Sequence, residues 1–371
     1  MENLVDQKLF DGVYNGKRVF LTGHTGFKGS WMAFWLTKMG AIVHGYSLEA
    51  PSNPNHIEKL DLNIEETISD IRNEETLEKA MSGFKPDVVF HMAAQPLVKL
   101  SYKEPIETFE TNVIGSMRVY EACKKVPTVK SIVTITTDKV YENNEWDWGY
   151  RENDRLGGKD PYSASKAAME IMTNSYRQSY FNLDKYGKDH HVLMATVRAG
   201  NVIGGGDWAL DRLIPDIVKA SIDKNPVSIR SPYSTRPWQH VLEPLSGYLM
   251  IGQKLIQQDK SFADAYNFGP SVTEDVNVEE VVTILRKYWE VIDYEIVRPK
   301  EEYHEAGLLK LDCTKAYRQL KWTPVWNVED ALKNTILWYK NYYENNELKT
   351  NDDLLRYISN AKEKGLAWTN S

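Results

Sequence analysis

Three glycines, spaced three residues apart, separate a short apolar run from a longer apolar stretch near the start of the chain. Residues 17–22 have the length of a buried strand, and residues 30–39 are long enough for a helix. Gly23, Gly26 and Gly29 lie between the two. Glycine lets backbone N–H groups approach a ligand closely, and the start of a helix attracts phosphate. This order predicts a dinucleotide-binding unit, and the alternative is a tight turn with packing glycines.

Strand-length and helix-length segments alternate through the first half of the chain. Apolar runs of strand length occupy residues 17–22, 41–47, 86–92, 130–136 and 191–198. Helical stretches occupy residues 30–39, 74–81, 106–125 and 161–181. Because helical crossovers join parallel strands, the alternation predicts an α/β fold with a Rossmann-type doubly wound parallel sheet.

The alternation of strand-length and helix-length segments breaks down beyond about Gly204, where the predicted elements become shorter. At 371 residues the chain has the length of about two domains. We expect a dinucleotide-binding domain at residues 1–200 and a smaller, mixed α/β, mainly substrate-binding domain at residues 201–371, with some interleaving of segments. The charged sequence after Glu344 is expected to be solvated and peripheral.

Composition excludes several classes of protein and partner. A net charge of −7 argues against nucleic acid as the main partner. No apolar stretch reaches the length of a membrane span, and the first 20 residues lack a signal-peptide core. Cys123 and Cys313 are too few for a disulfide framework, which favours a reducing cytoplasm. His190 and His191 are adjacent and no zinc motif occurs, so no metal is expected.

The choice of cofactor depends on the end of the second predicted strand. The sequence there is Tyr46-Ser47-Leu48-Glu49, without an arginine that would favour an additional phosphate, so NAD is preferred over NADP. Asp70 could accept a hydrogen bond from the adenine amine, or it could cap a helix. The whole loop from Gly23 through His24, Thr25, Gly26, Phe27 and Lys28 to Gly29 is assigned to the cofactor.

Tyr162 and Lys166 form a YxxxK pair in a predicted helix. Residues four apart lie on one helix face, and an ammonium beside a phenol lowers the pKa of the phenol. Tyr162 would then act as a base near neutral pH, although such pairs also occur by chance on surfaces. Thr137, Asp138 and Lys139 follow the predicted strand at residues 130–136, at the edge where open α/β sheets bind ligands. The alternative for Asp138 and Lys139 is a simple loop ion pair.

In combination these motifs resemble the extended short-chain dehydrogenase/reductase family, whose members act on nucleotide sugars. The likeness runs from about Lys17 to beyond Trp322. Its segments are residues 22–29, 91–95, 137–139, 146–150, 162–166 and 237–240. Residues 137–139, 146–150 and 237–240 are similar to the branch of dehydratases that acts on CDP-glucose, with roles in deoxysugar and lipopolysaccharide O-antigen biosynthesis.

The resemblance implies a reaction without net redox change. Tyr162 takes the proton of the sugar 4-hydroxyl while NAD takes hydride from C4, and Thr137 bonds the same oxygen. Water then leaves across C5 and C6 with Asp138 as the acid, and the hydride returns to C6 to give CDP-4-keto-6-deoxyglucose. Related dehydratases carry glutamate as the C5 base where this chain has Lys139. A lysine can serve only if its pKa is depressed.

The resemblance and the residue types also assign binding residues. The cofactor residues beyond the glycine loop are Asp70, Ile71, Ala93, Ala94, Gln95, Asn112, Tyr162 and Lys166. The substrate residues are Gln95, Thr137, Arg198, Asn201, Arg212, Arg236 and His240. Arg236 leads for the diphosphate because a guanidinium binds phosphate oxygens bidentately, and a surface salt bridge is its alternative role.

Two other functions share most of these motifs. A nucleotide-sugar epimerase or decarboxylase would have the same glycine loop, Tyr162 and Lys166, and Asp138 with Lys139 distinguishes the dehydratase. A non-catalytic NAD-binding regulator would not need Thr137. The family also pairs subunits through two long helices, here residues 106–125 and 161–181, so we expect a homodimer with a four-helix bundle. The alternative is that both helices only cover the sheet.

Overall fold

The computed structural model describes residues 8–209, 211–229, 231–271, 276–297 and 308–369. In chain order the strands are β1 (Arg18–Thr22), β2 (Ile42–Ser47), β3 (Glu65–Ile68), β4 (Val88–His91), β5 (Ser131–Ile135), β6 (Leu193–Ala199), β7 (Val202–Ile203), β8 (Val227–Ile229), β9 (Thr235–Arg236), β10 (Gln239–His240), β11 (Ala265–Phe268), β12 (Val276–Asn277) and β13 (Tyr294–Ile296). The helices are α1 (Phe27–Lys38), α2 (His56–Leu60), α3 (Glu74–Phe84), α4 (Val98–Lys103), α5 (Pro105–Phe109), α6 (Ser116–Lys124), α7 (Pro161–Ser179), α8 (Leu213–Ile222), α9 (Leu242–Ile256), α10 (Val278–Tyr288), α11 (Thr314–Leu320), α12 (Val328–Asn345) and α13 (Thr350–Glu363).

Seven strands form the central sheet in the order β11-β6-β5-β4-β1-β2-β3. Every neighbouring pair in this sheet is parallel. Helices α1 and α9 pack on one face, and α3, α6 and α7 pack on the other. The predicted α/β class and doubly wound parallel sheet are therefore confirmed.

Two strands of the sheet were not predicted, β3 and β11. Three of the four β3 residues are exposed, and the segment is too polar to resemble a buried strand. The four β11 residues are buried, but they lie beyond residue 204, where the alternation is lost. The predicted helix at residues 106–125 is also modified, because a π-helical turn at Glu110–Gly115 separates α5 from α6.

The prediction that the sequence after Glu344 is peripheral is wrong. One face of α13 carries Leu354, Tyr357 and Ile358, which are buried against the rest of the protein. Beyond this helix, the ring of Trp368 stacks on that of Phe10 with 5.2 Å between centroids. The charges of this sequence occupy the exposed face of an amphipathic helix, so charge content alone gave the wrong result.

Three further predictions are partly addressed by the described residues. None of the helices in the described part of the chain has the length and apolarity to cross a bilayer. Cys123 and Cys313 are both free thiols. Strand β11, from the predicted second domain, lies in the same sheet as β1 to β6. The domain boundary near residue 200 therefore stays a prediction, and at β11 the predicted second domain contributes a strand to the sheet of the first.

Candidate active site

A cavity of about 970 Å³ opens at the carboxyl ends of the parallel strands. Its walls are the segments that follow β1, β2, β3, β4, β5 and β6, together with residues from α7, α8 and β8. Ligands of open α/β sheets bind at this edge. The cavity is at the large end of the usual range of about 300–1,000 Å³ for small-molecule sites.

The glycine loop forms one wall of this cavity through close backbone packing. Gly23 has a φ of +78°, and a Cβ atom there would lie 2.8 Å from the backbone nitrogen of Ala93. A Cβ atom on Gly29 would lie 2.0 Å from the carbonyl oxygen of Gly23. Neither position admits a side chain, because the segment after β4 lies against Gly23 and the end of β1 lies against Gly29. The structure thus has the backbone cradle that a dinucleotide diphosphate requires.

The far end of the cradle is lined by the ends of β2 and β3. The Thr25 hydroxyl is 2.7 Å from the Ser47 hydroxyl and donates to the Leu48 carbonyl oxygen at 3.0 Å. Asp70 and Ile71 line the cavity as predicted. Arg72 donates to both carboxylate oxygens of Asp70, at 2.8–3.0 Å and 2.7 Å, and this pairing lowers the pKa of Asp70.

All five predicted catalytic residues line the cavity: Thr137, Asp138, Lys139, Tyr162 and Lys166. Helix α7 carries the last two on one face. It begins at Pro161, where the Asp160 side chain accepts from the Ser163 N–H at 3.0 Å in a capping box. The Lys166 ammonium donates to the carbonyl oxygen of Ile135, at the end of β5, at 3.3 Å.

The electrostatics of Tyr162 and Lys166 differ from the prediction. Burial raises the pKa of the Tyr162 phenol to about 12, and the Thr137 hydroxyl offsets only part of this shift. Burial and repulsion from Lys28 lower the pKa of the Lys166 ammonium to about 7. The predicted lowering of the Tyr162 pKa is therefore reversed, because the lost solvation of the buried phenolate outweighs the stabilisation that Thr137 and Arg212 give it.

Asp138 has the properties of a proton donor. Its side chain is 2% exposed and accepts a hydrogen bond from the Thr137 hydroxyl at 2.9 Å. Burial raises the pKa of this carboxyl, and the Lys139 ammonium opposes part of the rise. Gly200 allows the close packing, since a Cβ atom there would lie 3.2 Å from Asp138 Oδ2. A raised pKa keeps a larger fraction of the acid protonated near neutral pH.

Besides Thr137, three predicted substrate residues line the part of the cavity wall that follows β6 in the chain: Asn201, Arg212 and Arg236. Arg212 donates to Asp207 Oδ2 at 2.7 Å, which leaves part of its guanidinium facing the cavity. Arg236, in β9, donates to the Thr235 carbonyl oxygen at 2.8 Å. The two guanidinium groups give this wall the charge and geometry to bind phosphate oxygens.

Arg198 does not belong to this wall, contrary to the prediction. It is 3% exposed and donates to both carboxylate oxygens of Glu170, at 2.8 and 2.9 Å. Its third nitrogen, Nη1, donates to the Tyr141 hydroxyl at 2.7 Å and to the Glu152 carbonyl oxygen at 3.0 Å. Each of the three guanidinium nitrogens therefore donates to a group inside the protein.

Gln95 and Asn112 also lie behind the cavity wall instead of lining it. The Asn112 side chain accepts from the Gln95 N–H at 2.9 Å and donates to the Ser165 hydroxyl at 2.8 Å. The Gln95 amide donates to the Thr108 hydroxyl at 2.8 Å. These bonds connect the segment after β4, with Ala93 and Ala94 in the wall, to α7. Asn112 therefore holds part of the cavity wall in place without lining it.

Two predicted histidines point away from the cavity. His24 is fully buried beneath the glycine loop, with its Nε2 atom 3.0 Å from Glu66 Oε2 on β3. His240 lies in the core, with its ring 4.8 Å from that of Trp326, and burial lowers its pKa to about 3. Neither imidazole contacts the space that a ligand would occupy.

Several lining residues carried no clear signal in the sequence. They include Lys99, Asn143, Asp207, Asp211, Ser228, Ser231, Ser234, Trp238 and Val278. Most belong to the irregular part beyond residue 204, where sequence periodicity gives no face to assign. Trp238 lies within the segment 237–240, so that motif marked the right region but the wrong side chain, His240.

Comparison with known proteins defines the class. The family model described as GDP-mannose 4,6 dehydratase matches residues 20–335, and the chain belongs to this family. Among its relatives, the CDP-glucose 4,6-dehydratase of Salmonella typhimurium is 51% identical over 329 residues, which cover 88% of this chain and 91% of the relative. The predicted family is therefore confirmed.

Solved structures share the fold at lower identity. UDP-glucose 4-epimerase from Thermotoga maritima, solved with UDP-glucose, has a TM-score of 0.76 and 22% identity, covering 88% of this chain and 99% of that chain. The dTDP-glucose 4,6-dehydratase of Bacillus anthracis, solved in complex with NAD, has a TM-score of 0.73 and 23% identity, covering 89% and 98%. These similarities establish the common architecture.

Proposed function

We propose that this protein is an NAD-dependent CDP-glucose 4,6-dehydratase, which converts CDP-glucose to CDP-4-keto-6-deoxyglucose. The observation that carries the proposal is the 51% identity, over 88% of the chain, to an enzyme of that name. The cavity supports it, because Thr137, Asp138, Lys139, Tyr162 and Lys166 face one space. An epimerase needs the tyrosine base, whereas a dehydratase also needs an acid beside it to protonate the departing hydroxyl group.

The residues of the cradle fit NAD. The positions of Gly23 and Gly29 leave no room for a Cβ atom, and the start of α1 provides free backbone N–H groups. At the other end, Ser47, Leu48 and Glu49 line the cavity without a cationic side chain for an additional phosphate. When bound there, NAD supplies a nicotinamide ring that accepts the hydride from C4 and returns it at C6.

Tyr162 begins the reaction by removing the proton of the 4-hydroxyl group, and loss of the C4 hydrogen as hydride to bound NAD would leave a ketone at C4. Its pKa of about 12 means that the phenolate needs stabilisation by positive charge within the site. Lys166, one turn away on α7, supplies this charge in its protonated form. Thr137 lies next to both groups and donates to the same oxygen when its hydroxyl turns from Asp138.

Asp138 and Lys139 carry out the elimination of water. The C4 ketone acidifies the C5 proton, and Lys139 is the candidate base that removes it, a role that requires its neutral amine form. The C6 hydroxyl leaves as water after it receives a proton from Asp138, and a double bond forms between C5 and C6. Hydride addition at C6 and return of a proton to C5 complete the product. The raised pKa of Asp138 supports its role as the acid.

We also propose that residues 201–371 mainly hold the sugar nucleotide. Arg212 and Arg236 bind the diphosphate, and Asn201 contacts the sugar beyond the end of β6. The wall formed by Val227, Ser228 and Ile229 of β8 then adjoins the nucleoside. The product is a deoxysugar precursor, which agrees with a role in O-antigen biosynthesis. The two free thiols agree with a cytoplasmic location.

We further propose a homodimer that buries an apolar surface of α5, α7 and the turn between α5 and α6. Ile106 is 75% exposed and Ile171 is 60% exposed, while Phe109 and Ile114 are also exposed. Apolar side chains exposed on packed neighbouring helices are typical of a four-helix interface. Light scattering should give twice the chain mass, and Ile106→Lys with Ile171→Lys should give the monomer. A wild-type monomer would contradict the dimer.

The function is tested by incubation with CDP-glucose, dTDP-glucose, UDP-glucose and GDP-mannose in turn. We expect CDP-glucose to give a ketosugar with alkaline absorbance and a methyl group at C6, detected by NMR. In deuterated water the product should carry deuterium at C5, because the proton returned there comes from solvent. Formation of a C4 epimer from CDP-glucose, or preferred turnover of another nucleotide sugar, would contradict the proposal.

A further inference from the structure

Lys28 occupies an unfavourable position for a cation. It is the second residue of α1, where the positive end of the helix dipole repels an ammonium group. Among the residues that the structure describes, no carboxylate forms a salt bridge with it. Burial and repulsion from Arg212 lower the pKa of Lys28 to about 8, against a smaller attraction from Asp138. A lysine placed at such a cost in a cavity wall indicates an anionic ligand.

The surroundings of Lys28 belong to the substrate side of the cavity. Its neighbour Phe27 packs on Gly204, where a Cβ atom would lie 3.2 Å from the Phe27 ring. One turn later, Trp31 donates from its indole nitrogen to the Gly205 carbonyl oxygen at 2.9 Å. The first turn of α1 is thereby held against the segment that leads to Arg212. Lys28 lies where α1 meets this segment, and it lines the cavity.

We propose that the Lys28 ammonium binds the diphosphate of the nucleotide sugar together with Arg212. The backbone of the same residue remains part of the cradle for the dinucleotide, so one residue serves both ligands. The inference rests on the proposed function and adds a specificity-determining contact to it. A diphosphate places negative charge between the two cations, which replaces their mutual repulsion by attraction to a shared anion.

The alternative ligand is the diphosphate of the dinucleotide. The side chain of Lys28 interacts with Arg212, Asp138 and Lys166, all of which lie toward the reacting groups. Asp70, the acidic group at the adenosine end, is paired with Arg72 instead. This distribution favours the sugar nucleotide as the anion that Lys28 contacts.

The test compares Lys28→Met, which removes the charge but keeps the length, with Lys28→Arg, which keeps the charge. Lys38→Met, at the other end of α1 and outside the cavity lining, is the matched control. Calorimetry on the NAD-loaded enzyme measures the binding of CDP and of cytidine. We expect Lys28→Met to weaken CDP binding about 10- to 100-fold, as for a lost charge-assisted hydrogen bond, and to leave cytidine binding unchanged.

Lys28→Arg should retain most of the CDP affinity, and Lys38→Met should match the wild type. The NAD released on denaturation is measured in each variant and should be unchanged. Equal CDP affinity in Lys28→Met and wild type would overturn the inference, as would equal weakening of CDP and cytidine. Loss of NAD with unchanged CDP affinity would assign the ammonium to the cofactor and also overturn it. Wild-type turnover of CDP-glucose is measured first, so failure of the proposed function is recognised separately.

Discussion

Arg198 and Glu170 form a bidentate ion pair in the interior, directly behind the catalytic face of α7. The two N–O distances are 2.8 and 2.9 Å, and each side chain is 3% exposed. The Thr136 hydroxyl donates to the same carboxylate at 2.6 Å. Because Thr136 directly precedes Thr137, this pair fixes the end of β5 from which the proposed proton donor extends.

Arg198→Met should destabilise the protein by about 3–5 kcal/mol, because it leaves a buried carboxylate without its counter-charge. The free energy of unfolding in urea measures the effect. Replacing Glu170 by Gln in the same protein should recover part of the loss, since no unpaired charge then remains. If Arg198→Met retained wild-type stability but lost substrate affinity, Arg198 would be a substrate ligand as the sequence first indicated.

Tyr162→Phe should lower kcat by about 10²- to 10⁴-fold, the range for loss of a general base. The alkaline absorbance of the ketosugar provides the assay, and the bound NAD should stay at the wild-type level. Tyr176→Phe is the matched control, since its hydroxyl donates to Glu121 at 2.7 Å outside the cavity. Comparable activity in the two variants would remove Tyr162 from the mechanism.

Asp138→Asn should block elimination of water while oxidation at C4 continues slowly. The absorbance of reduced nicotinamide should then accumulate without ketodeoxysugar product. In the wild type, the rate should fall as pH rises through the pKa of Asp138, because only the protonated acid serves, and burial places that pKa above the usual value. Undiminished product from Asp138→Asn would exclude the proposed acid.

Gly29→Ala should abolish NAD retention. The new Cβ atom would lie 2.0 Å from the Gly23 carbonyl oxygen, so the backbone of the cradle must move. We expect a loss of stability of about 1–3 kcal/mol, typical of overpacking. Gly83→Ala in α3 is the control, because no atom lies within 4 Å of its added Cβ. Bound NAD after gel filtration measures the effect, and full retention in Gly29→Ala would contradict the assigned cradle.

Asp353→Asn should stabilise the protein at pH 8 more than at pH 5. Burial raises the pKa of Asp353 to about 7, and its Oδ2 atom has no hydrogen-bond partner in the described part of the chain. A raised pKa in the folded state contributes stability at low pH that is lost as pH rises through about 7.

The expected gain at pH 8 is about 1–2 kcal/mol, since the Arg356 contact at 3.3 Å is weakened at the same time. Thermal unfolding at the two pH values measures it. Asp352→Asn, on the exposed side of the same helical turn, should show no such pH dependence. An equal shift of Tm at both pH values would contradict the buried-charge explanation.

The sequence predicted the parts of the site that depend on local spacing. The glycine loop and the pair Tyr162 and Lys166 are each defined by residues within one strand, turn or helix, and apart from His24 they line the same cavity. Arg198 was assigned to the wrong environment, because its partner Glu170 lies 28 positions away on another element. The pKa of Tyr162 likewise depends on burial by distant segments, which no local pattern reveals.

The position of β11 also has a consequence for the synthesis of the protein. Its four residues pair with β6, in which all seven residues are buried, and β6 ends at Ala199. On the ribosome, about seventy further residues must therefore emerge before β11 can pair with this edge of β6. Until then the unpaired backbone groups and apolar side chains at this edge of β6 can pair with other chains. A chaperone would therefore be most useful during this interval.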